Sequence, residues 1–547
     1  MKENQKQGRY GVFSLMAMII GIVIGSGIFV KNAGLIAING SIANTMIAWL
    51  LGAVLVVAIL IAFLEIISIT EISNEQATMT NWGKKLIGAK FGNYIGYYMV
   101  LVYFPMIIAG LLCFVSTQFA GTLNDVGVKI LPDAALASQV TILSMASALV
   151  VTLVIMNSFS TNPGRILQNV GTIIKTIPLF FLVVLLIVLF AMGDVHIPKK
   201  EDIQTAAEFN NDKGLSSLTL ILMTLPGILF SIDGFLLAGA LSKESKSPTT
   251  FKTAFIISII FILLIYISYS FATLVLGDPN ETLHGDYGTI SNVIFSVFKN
   301  KTVAKILAFT TDAIITLSMI VGISGCIIGS MRMYTDLSVH NAVIDKDFSS
   351  VTKNKHGVSV ASGVIIGANV VEWLFISFTI DAIGISQGTD PLTFTGFMTD
   401  LVVVEIFIFY ALIIISAIKN RFTKKVEVKK NIAFYPSAIL ASVLTIAITL
   451  YFGYLILWPF GLKTSQEWAL WGIKLGFTII FLVYQVVIFI FFNRNTSKLS
   501  EEFKEEKAVR SKIYFGEAED YKTSEELNDQ ALNTILVMRA KSKKTTK

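Results

Sequence analysis

Charge is scarce in this chain. Asp, Glu, Lys and Arg make up 15% of its 547 residues, against about 25% in an ordinary soluble domain. That shortage excludes a soluble enzyme, a nucleic-acid binder and a disordered scaffold. Histidine and cysteine are scarcer still. His196, His284, His340 and His356 all fall in polar connections, and no paired-ligand spacing such as H-E-x-x-H occurs. Cys113 and Cys326 lie inside apolar runs, which supports neither a disulfide framework nor a Cys-rich metal site. No metal and no cofactor are expected. Alternating stretches of about 10 residues, the mark of barrel strands, are missing too.

Apolar sequence is abundant, at 54% of the chain. A transmembrane helix needs roughly 20 apolar residues, and twelve runs reach that length. They cover about 11–38, 43–71, 93–120, 138–158, 166–192, 215–241, 251–277, 304–334, 358–380, 393–418, 433–458 and 468–492. The first is longer than the roughly 7–15 residues of a signal-peptide core. It also lacks a small-residue cleavage site, so it reads as a retained span. Lys and Arg crowd every second connection. Lys84, Lys85, Lys90, Arg165, Lys243, Lys246 and the run from Lys419 to Lys430 lie on one side. The other side holds fewer, among them Lys129, Lys199 and Lys463. This bias predicts both termini in the cytoplasm and accounts for the net charge of +6 without a nucleic acid. Residues 493–547 carry more than a quarter of the charges and read as a cytoplasmic tail.

Two runs are interrupted in the middle. In the first, Ile24-Gly25-Ser26-Gly27-Ile28-Phe29 places two glycines around a serine. Interior glycine weakens a helix by about 1 kcal/mol. Gly21 and Gly25 also fit a G-x-x-x-G packing face, so helix packing stays open as a reading. In the sixth, Phe230-Ser231-Ile232-Asp233-Gly234-Phe235 places an acid and a glycine there. Paired interruptions in two halves point to a transporter's binding site. Unwound backbone at that depth must line a cavity or be buried in protein. Five helices separate the two breaks, an odd number, so any repeat relating them is inverted.

These residues resemble those of the amino acid–polyamine–organocation (APC) permeases. Gly25-Ser26-Gly27-Ile28-Phe29-Val30-Lys31 is similar to the family's G-S-G-I-F signature. Trp49-Leu50-Leu51-Gly52 and Glu65 fit the second span, and Phe230 to Phe235 fit the break of the sixth. Glu244, Lys246 and Pro248 fit an E-x-K-x-P loop, and Ser330 with Tyr334 fits the end of the eighth span. Two departures touch the subfamily: Glu75-Gln76-Ala77-Thr78 replaces a G-G-x-Y motif, and an arginine is shifted to Arg332.

The resemblance implies an all-α polytopic membrane protein with a LeuT-type 5+5 inverted repeat. The repeats would be 11–192 and 215–418, and 433–492 would add two helices, for twelve in all. The implied function is secondary transport of amino acids across the plasma membrane by alternating access, without catalysis. The substrate carboxylate would sit on N–H groups of Ser26 and Gly27, beside Gly25. Its amino group would meet carbonyls around Ile24, Phe230, Ser231 and Ile232, at the break closed by Asp233 and Gly234. Phe230 would be an aromatic gate, and Tyr103, Met106 and Ile107 a wall. Asp233 would cap the break or face the substrate.

Lys175 lies ten residues from Arg165, about 15 Å along a helix and near the middle of a ~30 Å core. A charge there needs water, a partner or loss of its proton. In branches of the family a lysine here stands where sodium-coupled relatives bind their ion. The expectation is therefore proton-coupled uptake without sodium, with Lys175 either the carrier or a fixed cation against span one. Glu405 is a candidate partner for that cation. An amino acid exchanger, a polyamine carrier and a non-transporting nutrient sensor remain alternatives. The partners expected are the substrate, protons and the bilayer, with no nucleic acid; the oligomeric state stays open.

Overall fold

The structure is a computed structural model and describes residues 10–25, 27–73, 77–159, 171, 174–193, 216–278, 289–339, 360–458, 462 and 464–502. Among these the chain is helical apart from one bridge pairing Tyr10 with Ser245. The first expected span is two helices, α1 (Val12–Val23) and α2 (Gly27–Asn39), bent by 45° at the break. Then come α3 (Ile42–Ile72), the short α4 (Met79–Leu86) and α5 (Ala89–Tyr98). A π-helical turn, Met99–Tyr103, joins α5 to α6 (Phe104–Asn124). Next are α7 (Ala135–Phe159), α8 (Ile177–Met192) and α9 (Ser217–Ile232). A 3₁₀ stretch, Phe235–Glu244, leads to α10 (Pro248–Leu276) and α11 (Thr289–Val297). The chain continues as α12 (Lys301–Val339), α13 (Val360–Ser386) and α14 (Thr393–Thr423). It ends in α15 (Phe434–Leu457) and α16 (Ser465–Glu502).

Local chemistry sets several of these starts. Ser41, Thr78, Ser216 and Ser247 each accept a hydrogen bond from the backbone N–H three residues on. Each thereby satisfies a donor that the first turn leaves orphaned. Pro248 follows its cap at the first helical position, where a missing N–H costs nothing.

Ten helices are long and apolar enough to cross a bilayer, and the bent pair raises this to eleven. Two expectations shift. The fifth span, expected over 166–192, is not one continuous helix: Gly171 and Ile174 are helical, and α8 begins at Ile177 after a turn, while residues 160–170, 172 and 173 lie outside the described part. Lys175 stays within the span: its N–H donates to the Gly171 carbonyl at 2.9 Å, and the turn at Lys175 and Thr176 arises because Pro178 has no N–H to give the Ile174 carbonyl. The last helix runs on to Glu502, ten residues past the expected start of the tail. Residues 503–547 lie outside the described part.

The helix ends define two sides. On the near side, where the chain begins, Lys246 N–H donates to the Tyr10 carbonyl at 3.0 Å. There Arg421 also grips Glu65 with two hydrogen bonds of 2.6 Å, and the Asn431 N–H adds a third at 2.8 Å. Glu65 is 2% exposed and Arg421 12%. Removing one member of such a buried pair strands the other, at about 3–5 kcal/mol. Arg421→Met is therefore expected to lower the melting temperature of the detergent-purified protein by several degrees. An unchanged melting temperature would show that water compensates the stranded Glu65.

Candidate functional site

The two broken helices touch at their breaks. A Cβ added to Gly27 would lie 2.6 Å from Ser231 Cα and 3.1 Å from the Phe230 carbonyl oxygen. Only hydrogen fits between these backbones. The contact also gives Gly27 a reason independent of helix flexibility. α1 ends at Val23, and Ile24 turns to extended backbone with ψ 101°. α9 ends at Ile232, Asp233 is extended with ψ 161°, and Gly234 takes a left-handed φ of 85°. That conformation suits glycine. The start of α2 and the end of α9 thus bring helix-terminal N–H and C=O groups to one place. Such termini are fitted to an anionic group and a cationic group respectively. Ser26, the serine between the glycines, lies outside the described residues.

Side chains from three other helices close on this point. The Tyr103 hydroxyl, turned inward by the π-helical segment, donates to Asp233 Oδ2 at 2.6 Å. The Tyr410 hydroxyl of α14 donates to Oδ1 at 3.4 Å, and the Gly234 N–H donates to Oδ1 at 2.7 Å. All the observed partners of Asp233 are donors from the protein, so its carboxylate caps the break and holds two tyrosines. Ile24, Ser231, Ile232, Met106 and Ile107 are buried, while Gly25 is half-buried.

Above the breaks, toward the far side, lies Phe230, 8% exposed. Lys31 Nζ stands 5.0 Å from its ring centroid and 5.8 Å from that of Phe114. The same ammonium donates to Asp400 Oδ1 at 2.7 Å, to Thr399 Oγ1 at 3.1 Å and to the Gly396 carbonyl at 3.2 Å. Lys31 therefore ties α2 to α14 across the top of Phe230. The sequence reading quoted Lys31 in a motif but gave it no role, and it passed over Asp400. The signal was present as two opposite charges in separate apolar runs, which must each find a partner.

Below the breaks, Lys175 Nζ donates to the Gly21 carbonyl of α1 at 2.8 Å, and Lys175 is 2% exposed. It is not paired with Glu405. That acid faces the other way, accepting from Gln485 Nε2 of α16 at 3.2 Å; Gln485 in turn accepts from the Tyr94 hydroxyl at 2.7 Å. Among the described residues no group of three or more His, Cys, Asp and Glu is placed to hold a metal ion.

A family model described as "Amino acid permease" matches residues 10–492. The chain is also similar to the serine/threonine exchanger SteT of Bacillus subtilis (strain 168). The two are 25% identical over 343 residues, covering 62% of this chain and 68% of the relative. A second relative, an uncharacterized protein of Mycoplasma pneumoniae (strain ATCC 29342 / M129 / Subtype 1), is 22% identical over 551 residues. That match covers 89% of this chain and 93% of the relative. The match to the family model takes in both broken helices and every helix packed around them, and the chain belongs to the amino acid permease family.

Proposed function

We propose that the chain carries amino acids across the cell membrane by alternating access, with the substrate bound where the two broken helices cross. The approach of Gly27 to Ser231 carries this reading. It leaves helix-terminal N–H groups of α2 for a carboxylate and carbonyls of α1 and α9 for an amino group. The same reading takes 11–192 and 215–418 as LeuT-type inverted repeats, 433–492 as two further helices, and both termini as cytoplasmic. The far side is then extracellular. Lys31 and Asp400 act as an outer latch over Phe230, and the contact between Tyr10 and the Ser245 loop seals the inner side.

Among the described residues Lys175 has one acceptor, the Gly21 carbonyl. An ammonium offers three donors, whereas a neutral amine is content with fewer acceptors. That favours a lysine which releases its proton during the cycle, and so proton-coupled uptake. A second reading, exchange of one amino acid for another, is favoured by the similarity to the Bacillus serine/threonine exchanger.

Lys175→Met tests the difference in proteoliposomes given labelled serine. Under proton coupling, an inward proton gradient accelerates uptake by the native protein, sodium does not, and the variant loses the acceleration. A variant that keeps its full proton dependence would make Lys175 a fixed charge and favour exchange.

A further inference from the structure

A second buried polar centre lies on the far side, away from the crossing. Asp125 ends α6 and Asp312 lies on α12; they are 2% and 1% exposed. Ser291 of α11, itself fully buried, places its Oγ 2.8 Å from Asp312 Oδ2 and 3.3 Å from Asp125 Oδ2. A serine hydroxyl has one proton and can donate to only one of them. The second contact is attractive only if the other partner brings a proton of its own. No cation among the described residues pairs with either acid. The remaining oxygens, Asp125 Oδ1 and Asp312 Oδ1, have no hydrogen-bond partner. Two charged carboxylates, buried and bridged by Ser291, with Gln118 the one further donor beside Asp312, would cost more than these bonds return.

A further buried polar group lies within electrostatic reach of Asp312. The Tyr269 hydroxyl of α10 is fully buried, has no hydrogen-bond partner, and is near enough to Asp312 to interact with its charge. From the surrounding elements, α6 also brings Gln118 beside Asp312, and Thr122, whose hydroxyl meets that of Thr316 at 3.1 Å. From α2 come Asn32, bonded to Thr273 one turn above Tyr269, and Lys31, engaged by Asp400. Among the described residues, the titratable or charged groups facing the pair are thus Tyr269 and the two acids themselves.

We propose that Asp125, Ser291 and Asp312 form a proton-holding site. Asp125 carries the proton and donates it to Ser291 Oγ, and the serine hydroxyl donates to the Asp312 carboxylate. The proton comes from far-side water and returns to it. α11, which supplies the serine, packs against α2, the far half of the broken first span. Movement of α2 therefore disturbs the bridge and exposes the proton, which links its exchange to opening of that side. This consequence rests on the transporter reading; the existence of the proton does not.

The test is infrared difference spectroscopy of the purified, full-length protein at neutral pH, in buffer free of sodium and calcium. The native-minus-variant spectrum of Asp125→Asn is expected to contain the carbonyl band of a protonated carboxylic acid. Ser291→Ala is expected to shift that band without removing it. A flat difference spectrum for Asp125→Asn overturns the proposal, as does a band unmoved by Ser291→Ala if the first variant does not fold. Loss of the band on adding sodium or calcium would assign the pair to a metal cation and overturn it as well. Serine uptake plays no part in this measurement, so a failure of the transport reading leaves its outcome intact.

Discussion

Gly27→Val is expected to lower serine uptake in proteoliposomes by roughly ten- to hundredfold while the protein still purifies as a monodisperse species. The clash is between backbones: the added Cβ meets Ser231 Cα at 2.6 Å and the Phe230 carbonyl at 3.1 Å. No side-chain rotation relieves it, so α2 must move away from α9. Overpacking of this kind costs about 1–3 kcal/mol, and each 1.36 kcal/mol in a barrier is about a tenfold change in rate. The expense falls on the state in which the breaks touch. Stability of the wider bundle changes less, since the contact is only one among many between helices. Gly25→Ala is the contrasting control. An added Cβ there meets only the Val23 carbonyl oxygen, at 3.9 Å, and a much smaller loss is expected. Equal losses at the two positions would place the importance of the motif in glycine flexibility and not in the crossing.

Lys31→Met is the second large effect. Its ammonium has three oxygen acceptors and two aromatic faces, and the pair with Asp400 is only 13% and 26% exposed. A fully buried pair broken on one side costs about 3–5 kcal/mol, and partial hydration reduces this to about 1.5–3 kcal/mol. The closed far side then loses roughly ten- to hundredfold in population. Uptake should fall at least about tenfold. In a background lacking Cys113 and Cys326, Ser231→Cys should react faster with a membrane-impermeant thiol reagent once Lys31 is replaced. Asp400→Asn should act alike, and exchanging the two charges should restore part of the closure. Unaltered thiol reactivity would show that the pair is structural and does not gate access.

The two breaks were easier to read in the sequence than the packing around them. Gly25, Gly27, Asp233 and Gly234 were legible because glycine and acid in an apolar run violate both helix propensity and membrane solvation. What joined the two breaks was invisible, since contact between Gly27 and Ser231 depends on the packing of helices 200 residues apart in sequence. Lys31 and Asp400 were readable as isolated charges but not as a pair. Glu405 misled for the same reason: its acidity invited a cation, and Gln485 on α16 met it instead. The turn at Lys175 follows from Pro178, three residues on, which the hydrophobic run concealed. The π-helical turn that aims Tyr103 at Asp233 has only Pro105 as a local signal. The bridge through Ser291 lay out of reach because Asp125, at the end of α6, meets Ser291 of α11 across a sequence separation of 166 residues.

Transport itself is the most direct test of the account. Purified protein in proteoliposomes would be offered a panel of labelled amino acids under an inward proton gradient, with sodium alone, and with amino acid preloaded inside. The account predicts saturable uptake of at least one amino acid that Gly27→Val lowers roughly ten- to hundredfold, accelerated by the proton gradient and indifferent to sodium. Amino acid binding that Gly27→Val disrupts, with no flux under any of the three conditions, would contradict transport and make the chain a sensor built on a transporter's fold.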